Sequence, residues 1–263
     1  MDSSIPAGVR LKTVALPPEH GAWGFLLEPI LLGLGAAPSI AGGFLAVAVI
    51  GAFLARHPLK IAAADWRRGK RYLRTRLAER FALAYSALAL LGGAAALGLA
   101  GPGIFLPLLL AIPLAVVMFA GYIQNRGREL VTELAGASAM ALAVSSLALA
   151  GGKSPEIALA LWGVLLARNN ASILYIRARL RLEKGKPFSF ATVLISNVLS
   201  TAGVLALVLA GLIPWLAILA ILILFCRAIY GLSPYRRRVR TQTLGFLEMG
   251  YGLLVVLATL AGG

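Results

Sequence analysis

The sequence predicts an all-α polytopic membrane protein of nine transmembrane helices, with its N-terminus in the cytoplasm and its C-terminus outside. Three observations lead there. First, apolar runs of about 20 residues, the length a helix needs to cross bilayer hydrocarbon, recur along a 263-residue chain that is 60% hydrophobic and only 13% charged. A soluble domain of this size needs more polar surface. Second, the runs are continuously apolar rather than alternating, which points to helices and away from a barrel. Third, Lys and Arg are rich and poor in alternate connections, as a chain crossing back and forth requires.

The spans fall at roughly 20–37, 39–56, 80–100, 104–123, 129–150, 156–176, 190–211, 213–231 and 242–261. Residues 1–19 are a cytoplasmic lead, and 20–263 a single transmembrane domain. The first span opens on "LPPEHGAWGFLLEP", residues 16–29. Pro17 and Pro18 fix the entry, Glu19 and His20 stand at the lip, and Trp23 lies at the level where aromatics anchor. The long polar lead, and Glu28 inside the apolar run, argue against a cleaved signal peptide.

After the second span, the connection 56–80 carries Arg56, Lys60, Arg67, Arg68, Lys70, Arg71, Arg74, Arg76 and Arg80. "GPGIF" carries none, "NRGRE" has Arg126 and Arg128, and "GGKSPE" has Lys153 alone. "RARLRLEKGKP" has five, "GLIPW" none, "SPYRRRVR" four and the final "LAGG" none. The positive-inside rule places the rich connections in the cytoplasm of an inner or plasma membrane. It also accounts for most of the formal net charge of +15, so no nucleic-acid partner is read from it. The tract Arg67 to Arg80 suits anionic lipid head groups. A single Cys226 excludes an intramolecular disulfide and any CxxC motif. Long basic connections after the second and sixth spans suggest two four-helix halves plus one helix.

Ionisable side chains inside a span cost roughly 2.5–3.5 kcal/mol and are candidates for function. "LLARNNASILYIRARLR" is the strongest case. The apolar run before Arg168 is too short to span, so the helix must carry Arg168, Asn169 and Asn170 in the membrane. Asn170 and Arg177 share a helical face, as do Tyr175 and Arg179. These residues predict an anion-binding wall on a cytoplasm-facing cavity, against the alternative of a polar zipper between helices. Glu129 and Glu133 lie one turn apart, with Glu133 expected to pair with Arg168 or Arg126. Glu28 sits about 12 Å inside the first span, where it would pair with a buried Arg or Asn or act as a base, and Glu248 sits near the same depth in the last span. Glu28, Glu133 and His20 are the candidate catalytic residues. His57 and Lys60, near the second span's cytoplasmic end, join Arg168, Asn169, Asn170, Tyr175 and Arg177 as candidate substrate ligands. His20 and His57 stand at unrelated spacing, so no metal site and no cofactor is read from them. Arg227 reads as a snorkelling residue.

"PPEHGAWGFLLEP", followed by "RHPLK" after the second span, resembles the YwiC-like family of bacterial membrane proteins. The nine-span plan also resembles the UbiA superfamily of intramembrane prenyltransferases, and "ELVTELAGASAMALA" looks like that superfamily's fifth helix. This second resemblance implies a UbiA-like bundle with a cytoplasmic cavity and a transferase acting on an isoprenoid or other lipid phosphate. The chain departs from it at the Asp-rich Mg²⁺ motifs. "RHPLKIAAAD" and "RNNASILYIRARLRLEKG" offer only Asp65 and Glu183, too few carboxylates for a Mg²⁺ site of the usual kind. Guanidinium groups would instead hold phosphate directly. The competing readings are an anion or small-molecule transporter, and a non-catalytic accessory membrane protein.

Overall fold

The structure, a computed structural model, describes residues 10–17, 20–124 and 126–261, and every regular element among them is helical. A short α1 (Leu11–Ala15) precedes α2 (His20–Ala36), α3 (Ile40–Arg67) and α4 (Leu73–Ala100). A 3-10 turn (Pro102–Phe105) leads into α5 (Leu106–Ile123). Then follow α6 (Leu130–Ala141), α7 (Ala143–Ala150), α8 (Pro155–Glu183), α9 (Phe190–Leu209), α10 (Leu216–Leu232) and α11 (Thr241–Leu260). Seven helical stretches are long and apolar enough to cross a membrane, with α6 and α7 forming one of them, Leu130–Ala150. The apolar part of α2, Trp23–Ala36, and α10 are shorter apolar helices.

The connection expected at 56–80 is mostly helix: α3 runs on to Arg67, α4 starts at Leu73, and α8 likewise continues to Glu183. Ion pairs make these extensions stable outside an apolar medium. Arg74 donates two hydrogen bonds to Asp65, at 3.1 and 2.7 Å, and Thr75 donates a third at 2.7 Å. Glu79 accepts from Trp66 at 2.9 Å and from Arg71 at 3.1 Å. Hydropathy alone marked where the apolar run stops, not where the helix stops.

α3 and α4 form a tight hairpin. A Cβ at Gly51 would stand 2.8 Å from the Tyr85 carbonyl oxygen, and one at Gly92 would stand 2.7 Å from that of Phe44. Only glycine lets the two backbones approach so closely. α8 is the central helix, packed against α2, α6, α7, α9, α10 and α11, whereas the apolar segments of α4 and of Pro102–Ile123 are only 17% and 11% buried and present apolar side chains outward. In a bilayer that surface is covered by lipid.

Side-chain contacts gather the basic connections at one end. Lys60 lies over the Tyr122 ring near the end of α5, and Arg177 of α8 reaches Glu133 at the start of α6. Arg179 donates to the carbonyls of Gly231, in the last turn of α10, and of Arg237 beyond it, and His57 Nε2 lies 3.1 Å from the Thr13 carbonyl oxygen in α1. The opposite end holds the meeting of α2 and α11, where a Cβ at Gly35 would stand 2.5 Å from the Leu260 side chain.

Candidate functional site

Four charged side chains from α2, α8, α10 and α11 form one buried layer. Counted from the basic end of each helix, Glu28 lies about 12 Å in, Glu248 about 10 Å and Arg227 about 8 Å. Arg168 Nη2 stands 2.7 Å from Glu28 Oε1 and donates to the Glu248 carbonyl oxygen at 2.8 Å. Its guanidinium carbon lies 5.7 Å from the Phe25 ring. Glu28 is 5% exposed and Arg168 3%. Arg227 pairs with the Glu248 carboxylate and is sandwiched between Tyr175, at 4.2 Å, and Tyr251, at 5.0 Å. Two acids and two bases leave the layer with no net charge, which is how a low-dielectric interior tolerates ions.

Glycine makes the layer possible. A Cβ at Gly252 would stand 1.9 Å from Glu28 Oε1 and 2.6 Å from Arg168 Nη2. A Cβ at Gly231 would stand 2.2 Å from the Tyr175 hydroxyl oxygen. Both helices therefore yield side-chain space to a polar group.

The three consecutive polar residues of α8 do not make one wall. Successive helical residues point about 100° apart, and the bundle uses each direction differently. Arg168 turns toward α2 and α11. Asn169, 3% exposed, lies 3.5 Å from the Ala137 carbonyl oxygen of α6. Asn170 alone faces an open space, a groove of about 650 Å³ between α6, α8 and α9. The expected cytoplasm-facing cavity built around Arg168 is thus replaced by a closed ion-pair layer and a separate groove.

Leu134, Ala167, Leu174, Ile195, Leu199 and Leu207 supply much of the groove's apolar wall, and Asn170, Thr192, Ser196 and Ser200 its polar groups. Ile195 is 58% exposed and Leu199 66%, so the groove opens sideways across the outer face of α9. Along α8 the lining follows one ridge, Gly163, Ala167, Asn170 and Leu174, and the next residue on that ridge is Arg177. Arg177 Nη1 donates to Glu133 Oε2 and to the Arg128 carbonyl oxygen, both at 2.8 Å. Glu133 thus pairs with Arg177 rather than with Arg168 or Arg126; Arg126 meets Glu129 at 3.6 Å. Both side chains of the Arg177–Glu133 pair are 37% exposed, so the pair stands open at the groove's basic end.

The remaining candidates are dispersed. Tyr175 belongs to the buried layer, under Arg227. His57 and Lys60 sit with α1 and α5, with Thr13 and Tyr122 as their neighbours. Glu19 and the side chain of His20 lie outside the described residues. Among the described residues no group of three or more His, Cys, Asp or Glu could hold a metal ion. Arg227 is the functional-looking residue that the sequence reading misjudged. It is a paired, buried charge rather than a snorkelling one. The usable signal was the presence of Glu248 at a matching depth in the next span.

No curated protein and no solved structure matches this chain. The profile of the YwiC-like protein family matches residues 16–148, which include Glu28 and Glu133 and end before Arg168 and the groove face of α8. That stretch is just over half of the 263 residues, and the chain belongs to the YwiC-like protein family.

Proposed function

We propose that this membrane protein binds an amphiphile with an anionic phosphate or diphosphate head, its apolar tail in the α6–α8–α9 groove and its head at Arg177. The groove carries this reading: about 650 Å³, largely apolar and open to the side, with Arg177, paired to Glu133 and 37% exposed, one turn beyond its lining on the α8 ridge. That volume is in the range of small-molecule sites, and arginine binds phosphate oxygens bidentately without a metal. The basic end faces the cytoplasm in this reading, and α2 and α10 cross the membrane with the seven longer stretches, giving nine crossings and a UbiA-like plan.

Within this reading Glu133 is the carboxylate beside the head group, and any group-transfer chemistry depends on it. Glu28 serves structure instead, because Arg168 holds it. The test is a binding titration of the detergent-purified protein with a long-chain isoprenyl monophosphate. Arg177→Ala should weaken binding about tenfold, the worth of one charge-assisted bond. Gly203→Trp should abolish it, since a side chain at Gly203 meets no atom within 4 Å and projects into the groove. Undiminished binding in both variants would remove the groove from consideration.

The buried charge layer favours a second reading, transport, in which separation of Arg168 from Glu28 opens a polar path between α2, α8 and α11. Anion flux in proteoliposomes that is lost in Arg168→Met but kept in Gly203→Trp would put this reading first.

A further inference from the structure

We infer that the groove selects a glycerolipid-type ligand, whose ester carbonyl accepts hydrogen bonds from Asn170 and Ser196 below its anionic head. This rests on the groove reading above and narrows the ligand's class. Of the polar side chains lining the groove, two are already engaged. Ser200 Oγ donates to the Ala167 carbonyl oxygen at 3.0 Å, and Thr192 Oγ1 donates to Ser189 Oγ at 2.8 Å. Asn170 and Ser196 have no hydrogen-bond partner among the described residues, and both are half-buried. The Ser200–Ala167 bond also sets the register of these antiparallel helices. One turn toward the basic end brings Asn170 of α8 and Ser196 of α9 to the same level.

Asn170 lies seven residues before Arg177, about 10 Å along the helix. The Arg177 guanidinium is held by Glu133 and the Arg128 carbonyl near the start of α6, on the basic side of that interval. A ligand bound there meets a cation first and two hydrogen-bond donors below it. An isoprenoid chain offers those donors nothing and strips them of water, which costs affinity. An acyl ester offers a carbonyl acceptor beneath its phosphate. The sideways opening gives such a lipid direct entry from the bilayer.

The test compares diacyl phosphatidic acid with its dialkyl ether analogue, which keeps the head and chains but lacks the carbonyls. Both are titrated against the full-length protein in detergent, with an isoprenyl monophosphate as third probe. The diacyl lipid should bind about tenfold tighter than the ether and the isoprenoid. Asn170→Leu, or the milder Ser196→Ala, should erase that preference, weakening the diacyl lipid and tightening the ether lipid, which no longer strands a donor. Equal binding of diacyl and ether lipids, or a preference that survives both substitutions, overturns the inference and leaves the groove reading standing. Binding of none of the three probes overturns both.

Discussion

Removing Arg168 while keeping Glu28 would leave a carboxylate that is 5% exposed facing apolar side chains. Loss of one partner from a buried ion pair costs about 3–5 kcal/mol, because the survivor stays desolvated and uncompensated. Arg168→Met should therefore destabilise the protein by that amount, including the 2.8 Å bond to the Glu248 carbonyl. Replacing both ends, Glu28→Gln with Arg168→Met, removes the stranded charge and should recover more than half of the loss. The assay is a double-variant cycle of unfolding free energies, measured by denaturant titration in a fixed lipid–detergent mixture. Contacting residues couple by about 0.5–3 kcal/mol, and a pair 2.7 Å apart and shielded from water belongs near the top of that range. Additivity of the two single substitutions within about 0.5 kcal/mol would show that the pair is not the unit described here.

Two further outcomes follow from the packing and one from the charge pattern. Gly252→Ala should destabilise by about 1–3 kcal/mol, since its Cβ would stand 1.9 Å from Glu28 Oε1, and the same substitution should be milder beside Glu28→Ala; equal costs in both backgrounds would refute this. Gly51→Val should separate α3 from α4 and cost a similar amount, read as earlier thermal unfolding, whereas Gly43→Ala, which meets nothing within 4 Å, should be silent. For topology, cysteines placed singly at Lys153 and Lys186 in a Cys226→Ser background should react with a membrane-impermeant thiol reagent from opposite sides. Labelling of both from one side would contradict the alternating topology.

The sequence by itself determined the class of the protein and the location of its helices. About 20 apolar residues in water have no soluble alternative, and the connections' charge reports which ends lie together. That is why the long apolar stretches and the clustering of basic residues at one end match the reading of the residues alone. It also marked Glu28, Glu133 and Arg168 as costly enough to need partners.

Only the tertiary structure decided who those partners are. Hydropathy has one dimension, whereas partner choice depends on the rotation of each helix and on close approaches such as that at Gly252. Rotation gives Arg168 to Glu28, Asn169 to the Ala137 carbonyl and Asn170 to the groove, although they are adjacent in the chain and Arg168 also donates to Asn169 at 3.5 Å. It gives Arg168 to Glu28 across 140 residues of sequence, and Glu133 to Arg177 instead. It raises Arg227 from a presumed edge residue to one end of a buried, neutral layer. Helix ends were hidden for a related reason: beyond the apolar run α3 and α8 are held by ion pairs, which a count of apolar residues does not register.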